Sequence, residues 1–274
     1  MNIVQITPGA GGMYCGGCFR DNALVAALRR AGHETLMVPL YLPLTLDEPD
    51  QSAGTPIFFG GINVYLEQKS PLFARMPDWL HRVLASPRVL RWAGGRAART
   101  RAADVGDLTL SMLRGEEGRQ AREIDELVNW LKQGPAPDVI CLSNALLIGL
   151  ARQLQRELRV PIVCLLSGED TFLDALPESV RAQAWDVLSE RVLGVDLFVA
   201  PSRYYAGLMS RRLRLRSTHV RVVPNGIRLE GFSPAPALPQ PPVLGYFARM
   251  CPEKGLDTLV EAYLRLRRRP AGRD

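Results

Sequence analysis

The chain predicts an α/β fold: a Rossmann-like, doubly wound, mostly parallel sheet, followed by the start of a second, truncated unit of the same kind. Three observations predict it. Short apolar runs alternate with amphipathic stretches along most of the 274 residues. Runs such as Val139 to Leu142 and Ile162 to Leu166 are apolar without a break, as strands covered on both faces are. A glycine-rich turn, Thr7-Pro-Gly-Ala-Gly-Gly-Met-Tyr-Cys-Gly-Gly-Cys-Phe-Arg-Asp-Asn22, joins the first strand-like run to the first helix-like one.

The elements follow in order. Ile3 to Thr7 reads as a strand, and Asp21 to Ala31 as a helix whose Ala23, Leu24, Ala27, Leu28 and Ala31 share one face. Gly32 ends that helix as a left-handed cap. Strands are expected at Thr35 to Leu40, Asp138 to Leu142, Pro161 to Leu166, Asp196 to Ala200, Val220 to Val223 and Val243 to Ala248. Helices are expected at Glu123 to Gln133, Ala145 to Leu158, Glu178 to Leu193 and Ser202 to Leu215. From about residue 46 to 131 the rhythm breaks, and this interval reads as an insertion over one edge of the sheet.

Domain boundaries come from composition. Residues 1–228 form the first domain. Residues 229–242 form a linker, since Phe232-Ser-Pro-Ala-Pro-Ala-Leu-Pro-Gln-Pro-Pro242 has five prolines and little strand or helix potential. Residues 243–274 open a second domain that one strand and one helix cannot complete.

Composition excludes several classes. Hydrophobic residues make up 47% of the chain, which disfavours disorder. No apolar stretch is long enough to span a membrane and no basic residue precedes the first apolar run, so a cytoplasmic protein is expected. Five cysteines, an odd number, fit reduced thiols better than a disulfide framework. The formal charge of +6 is concentrated in arginine clusters near residues 88–101, 211–216 and 265–269. These read as solvated helix faces, with peripheral contact to an anionic membrane next in rank. No aromatic residues are interleaved with them as a base-stacking platform, so no nucleic acid partner is expected.

The glycine-rich turn admits several chemistries. A dinucleotide fingerprint fails, because Tyr14 stands where the third glycine belongs and no acidic residue ends the second strand. A Walker loop lacks its Gly-Lys-Ser or Gly-Lys-Thr ending. Cys15 and Cys18 have dithiol spacing ahead of a helix, where the macrodipole lowers a thiol pKa, so a redox role stays open. A metal is not expected, since Cys141 and Cys164 lie in apolar strands and His33, His81 and His219 lack ligand spacing. A phosphate cradle is even with a bare turn on spacing alone: Gly16 and Gly17 let the backbone approach an anion while helix N–H groups point at it.

Several segments together resemble the GT-B glycosyltransferases of family 4, retaining enzymes that use nucleotide sugars. They are the glycine pair after the first strand, Leu28-Arg-Arg-Ala-Gly-His-Glu34, Val195-Asp-Leu-Phe-Val-Ala-Pro-Ser202, Val220-Arg-Val-Val-Pro-Asn-Gly-Ile227 with Phe232-Ser-Pro234, and Gly245-Tyr-Phe-Ala-Arg-Met-Cys-Pro-Glu-Lys-Gly-Leu-Asp-Thr-Leu259. The resemblance covers roughly residues 1–45 and 138–268. It implies that residues 1–228 are the acceptor-side domain of a GT-B pair and residues 243–274 the beginning of the donor domain. It implies transfer of a sugar from a nucleoside-diphosphate sugar to a hydroxyl of a carbohydrate or lipid-linked acceptor, with no cofactor and no metal.

The same resemblance implies site residues. Arg249 and Lys254 would bind the donor diphosphate and stabilise it as it leaves, and Gly16 and Gly17 would touch the same phosphates. Fixed charges act strongly in a poorly hydrated cleft, which agrees with that role. Glu169 and Asp170 follow a buried strand where acceptors bind in such sheets, with helix capping as the other reading. Ser167 and Gly168 stand where many members carry a histidine. The family's downstream carboxylate pair lies beyond residue 274, so weak activity is expected from the chain itself. Three rivals remain: a non-catalytic carbohydrate- or phosphate-binding module, a thiol redox protein, and a UDP-sugar epimerase on the same fold.

Overall fold

A computed structural model describes residues 1–10, 15–59, 102–227, 229–235, 237, 239–248, 250 and 254–269. Contacts divide the chain into two units, Met1–Arg228 and Leu229–Asp274.

The first unit is built on six strands: β1 (Asn2–Thr7), β2 (Glu34–Pro39), β3 (Val139–Leu142), β4 (Ile162–Leu165), β5 (Leu197–Ala200) and β6 (Val220–Val222). They lie in the order β2-β1-β3-β4-β5-β6, and every pairing is parallel. The order reverses between β1 and β3, which makes that gap the topological switch point. The helices are α1 (Gly16–Arg30), α2 (Ala102–Arg114), α3 (Ala121–Gln133), α4 (Ala151–Leu158), α5 (Glu169–Asp174), α6 (Glu178–Arg191) and α7 (Arg203–Leu213).

Helix α1 begins five residues earlier than its apolar spacing predicts, so Gly16 and Gly17 are its first turn rather than the loop before it. Its end matches expectation. Gly32 has a φ of 85°, and the N–H groups of Gly32 and His33 return to the carbonyls of Arg29 and Leu28, a Schellman cap. Its buried face does not match. Cys18, Asp21, Asn22 and Val25 are buried, whereas Ala23, Leu24 and Ala27 line an open cleft. The reason is the surface beneath: β1 offers the polar Gln5 and Thr7 as well as apolar residues, all buried.

One cluster gathers Ile6, Val38, Ile140, Leu142, Ile162 and Phe198 from the sheet with residues of α2, α3, α4, α6 and α7. Helices α2 and α3 contribute Leu113, Ile124, Leu127 and Leu131, all nearly inaccessible. The interval read as an edge insertion therefore supplies two core helices, and residues 60–101 lie outside the described residues.

The expectation of a sheet sealed on both faces holds for β1 and fails farther along. Strands β3 to β5 bury Ile140, Leu142, Ile162, Cys164, Phe198 and Ala200 on one face. Val139, Cys141, Val163, Leu165, Leu197 and Val199 on the other are half-buried. Right-handed crossovers explain this, because successive β-α-β steps in one direction put every intervening helix on the same face.

In the second unit the predicted strand at 243–248 is absent: that stretch is irregular, with Val243, Leu244 and Phe247 largely exposed. A strand forms by pairing, and an isolated segment gains nothing from the extended state. Helix α8 (Leu256–Arg267) does form, started by Gly255 at φ 65°, and buries none of its residues.

Candidate functional site

Ligands of open parallel sheets bind beyond the carboxyl ends of the strands. In the first unit three of the exits on that edge hold the site: the turn from β1 into α1, Ser143 and Asn144 after β3, and Leu166 to Gly168 after β4.

The β1 exit is held by backbone. Leu40 N–H donates to the Thr7 carbonyl at 2.9 Å and Tyr41 N–H to the Pro8 carbonyl at 2.8 Å, clasping the turn to the end of β2. Gly9 has a φ of 72°, and a Cβ there would sit 1.8 Å from the Leu42 carbonyl oxygen, so glycine alone fits. Beyond the turn, Phe19 N–H bonds the Cys15 carbonyl at 3.1 Å and closes the first helical turn. The amides of Gly16, Gly17 and Cys18 precede that bond, so helix geometry leaves them without intrahelical acceptors. Gly16 is exposed, and a Cβ built on it would meet nothing within 4 Å.

Arg20 spans the switch point. Its guanidinium donates to the Ser143 carbonyl at 2.6 Å and to Asp21 Oδ1 at 2.8 Å, with a longer contact of 3.3 Å to Ser143 Oγ. Asp21 is fully buried, and its Oδ2 has no partner among the described residues. Arg20 therefore braces α1 against the exit of β3 and brings a fixed positive charge to the sheet edge.

Glu169, the first residue of α5, is 2% exposed. Its Oε1 accepts from Ala145 N–H at 2.8 Å, and its Oε2 accepts from Ser167 N–H and from the Tyr205 hydroxyl, each at 2.8 Å. One carboxylate thus ties the exits of β3 and β4 to α7. Tyr205 Oη also accepts from Gly168 N–H at 2.8 Å and lies 2.9 Å from Asp170 Oδ1. Burial first, then the two carboxylates, push the phenol pKa up, so Tyr205 stays protonated and donating. Asp170 is half-exposed, and Ser167 and Gly168 are exposed.

Sequence reasoning placed Glu169 and Asp170 together as acceptor ligands. The structure separates them: Glu169 is buried and its oxygens face protein donors, while Asp170 keeps an exposed carboxylate. Both acids stand in the first turn of α5, as the capping reading has them, and Glu169 in addition bonds the amides of Ser167 and Ala145 outside its own helix. Gly16 and Gly17 lie on the same sheet edge. Lys254 belongs to the second unit, where it is exposed and its carbonyl accepts from the Tyr246 hydroxyl at 3.5 Å. Arg249 lies outside the described residues. Arg20, Ser143 and Tyr205 escaped the sequence reading, since an arginine beside an aspartate and a tyrosine in a helix carry no spacing signal.

Two cavities flank these elements. A cleft of about 240 Å³ between α1 and the ends of β4 to β6 is lined by Arg20, Leu24, Arg30, Leu166, Val199 and Ile227. A larger one, about 440 Å³, lies at the opposite end of the sheet beside Asn2, Glu34, Trp130 and Pro137. That is the amino end of the strands, away from the ligand-facing loops. No cluster of three or more metal-ligating side chains occurs among the described residues. No helix among them is long and apolar enough to cross a membrane.

The first unit is thus a Rossmann-like α/β domain whose Arg20 guanidinium, buried Glu169 carboxylate and first-turn amides of α1 lie along the carboxyl edge of a parallel sheet. Residues 97–230, from just before α2 to just past β6, match the family model described as Glycosyltransferase Family 4, so over that stretch the chain is similar to that family. A crystal structure of Arabidopsis thaliana UGT89C1 complexed with UDP-L-rhamnose is 15% identical, with a TM-score of 0.34. The match covers 81% of this chain and 51% of that one, so the chain spans about half its length. No protein of curated function matches the chain.

Proposed function

We propose that the chain is the acceptor-side domain, linker and opening of the donor side of a glycosyltransferase. The reaction moves a sugar from a nucleoside-diphosphate sugar to a hydroxyl, with retention of anomeric configuration. The observation that carries the reading is the family match over residues 97–230, which takes in the exits of β3, β4, β5 and β6.

Each residue then has a role that its chemistry allows. The amides of the Gly16–Gly17 turn donate to the phosphates of the sugar donor, since glycine admits close approach and a helix N-terminus favours an anion. Arg249 and Lys254 supply the fixed charge that stabilises the departing diphosphate, which removes the need for a metal. On the acceptor side Asp170 and Ser167 hydrogen-bond sugar hydroxyls, and Glu169 holds their loop in place. Glu169 is a positioning residue in this reading, in keeping with its burial.

The test is the thermal midpoint of the chain with UDP, GDP and ADP sugars, using plain sugars and pyrophosphate as controls. A ligand at a hundred times its Kd stabilises the folded chain by about 2.7 kcal/mol, a readily measured shift. One nucleotide sugar is expected to raise the midpoint, and Lys254→Ala to remove the rise. Stabilisation that survives Lys254→Ala rejects the diphosphate role of that lysine, and no shift with any donor rejects donor binding by this chain. With transfer in hand, the anomeric proton coupling of the product checks retention, and insensitivity to chelators checks the metal-free mechanism.

A further inference from the structure

The Cys15-Gly16-Gly17-Cys18 turn has a chemistry that sugar transfer does not use. Cys15 is the N-cap of α1, in extended conformation (φ −121°, ψ 114°), and is half-buried; Cys18 lies one turn on and is 1% exposed. The two thiols are near enough for each to shift the other's titration. Cys15 Sγ lies over the next turn, 3.8 Å from where a Cβ on Gly17 would be, and the space beside Gly16 is open among the described residues. One thiol is reachable, and the other is sheltered behind it.

We propose that Cys15 and Cys18 form a reversible dithiol/disulfide pair, with Cys15 as the attacking thiol and Cys18 as the resolving thiol, oxidised by small-molecule disulfides. In the first step the Cys15 thiolate attacks one sulfur of the disulfide RSSR, forming a mixed disulfide and releasing RS⁻. In the second, the Cys18 thiol gives its proton to the departing thiolate and attacks the Cys15 sulfur, expelling the second RS⁻. From the Cys15 thiolate and the Cys18 thiol the protein loses two electrons and one proton, and the reagent leaves as one RSH and one RS⁻, which takes its proton from solvent.

The surroundings favour this division of labour. The Cys18 thiol, followed by the amides of Cys18 and Gly17, lowers the Cys15 pKa to about 6, against burial and the nearby Asp21 carboxylate. Cys18 is shifted upward by Cys15, by burial and by Asp21, with Thr7 opposing, so it stays protonated until the second step. Helical residues three apart hold their Cβ atoms about 5–6 Å apart, and a disulfide needs roughly 3.5–4.5 Å. Two intervening glycines let the turn tighten by that amount.

The bond would cross the turn assigned above to the donor phosphates, so oxidation would also alter donor binding. That consequence rests on the proposed function, but the thiol chemistry does not, and the test reads thiols alone. The reduced chain is incubated with glutathione disulfide, and free thiols are then alkylated in denaturant and mapped by peptide mass. Cys15 and Cys18 are expected to be protected together as one cross-linked peptide. Cys18→Ala should trap glutathione on Cys15, and Cys15→Ser should leave Cys18 unmodified. Alkylation of the native chain near pH 6 should be roughly twentyfold faster at Cys15 than at a peptide thiol of ordinary pKa, once lower intrinsic nucleophilicity is discounted. Two free thiols after equilibration, or Cys15 reacting no faster than the peptide, would overturn the proposal. A thermal midpoint for Cys15→Ser equal to that of the parent chain ensures that the folded state is the one compared.

Discussion

Glu169 shows how a residue can stand in the expected place with a different task. Its carboxylate meets two backbone amides and a phenol hydroxyl with negligible exposure. Replacing it with alanine strands buried donors on two strand exits, and the loss should be about 3 kcal/mol in denaturant unfolding. Asp170→Ala should cost below about 0.5 kcal/mol, because the carboxylate is half-exposed and Tyr205 keeps Glu169 as a partner. Equal losses for the two variants would contradict the division between a bracing and a ligand-facing carboxylate. The sequence offered these acids at the right strand end, but two adjacent acids look alike until burial distinguishes them. Arg20 was missed for the opposite reason: its partner Ser143 lies 123 positions away, and no local pattern records such a pair.

The elements were most legible where a local rule decides them. The six strands of the first unit and the Schellman end of α1 come from apolar runs and a glycine at positive φ, both local signals. Helix α7 is another case. Ser202 Oγ accepts from Tyr205 N–H at 3.1 Å, capping the helix that delivers Tyr205 to Glu169. Ser202→Ala should cost about 1 kcal/mol by thermal or denaturant unfolding, and no loss of stability would show that tertiary packing alone holds the helix start. The face of α1 was misread because amphipathicity assumes an apolar surface opposite. Here β1 presents the buried Gln5 and Thr7, and the helix buries Asp21, Asn22 and Cys18, with Asn22 bonded to Pro49 and Gln51. The strand expected at 243–248 fails by similar logic, since pairing is a non-local requirement.

At the scale of the molecule, the buried core of the described residues lies within Met1–Arg228, and α8 buries nothing. A chain ending at Arg228 is therefore expected to unfold cooperatively with the midpoint of the full chain. A markedly lower midpoint would mean that the second unit contributes stability to the first. The same view accounts for the half-buried face of β3 to β5, because crossover handedness sends the helices to one side. By itself the sequence determined the α/β class, the parallel strands, the glycine turn that ends β1, and the resemblance to glycosyltransferase family 4. Those are written in periodicity and in contiguous motifs, which local sterics and the hydrophobic pattern enforce. Only the tertiary structure decided that Glu169 braces rather than faces solvent, that Arg20 bridges to Ser143, that α2 and α3 are core, and that Cys15 is the reachable thiol of its pair. Each depends on burial and on partners far apart in the chain, which are set only when the sheet assembles and its helices pack.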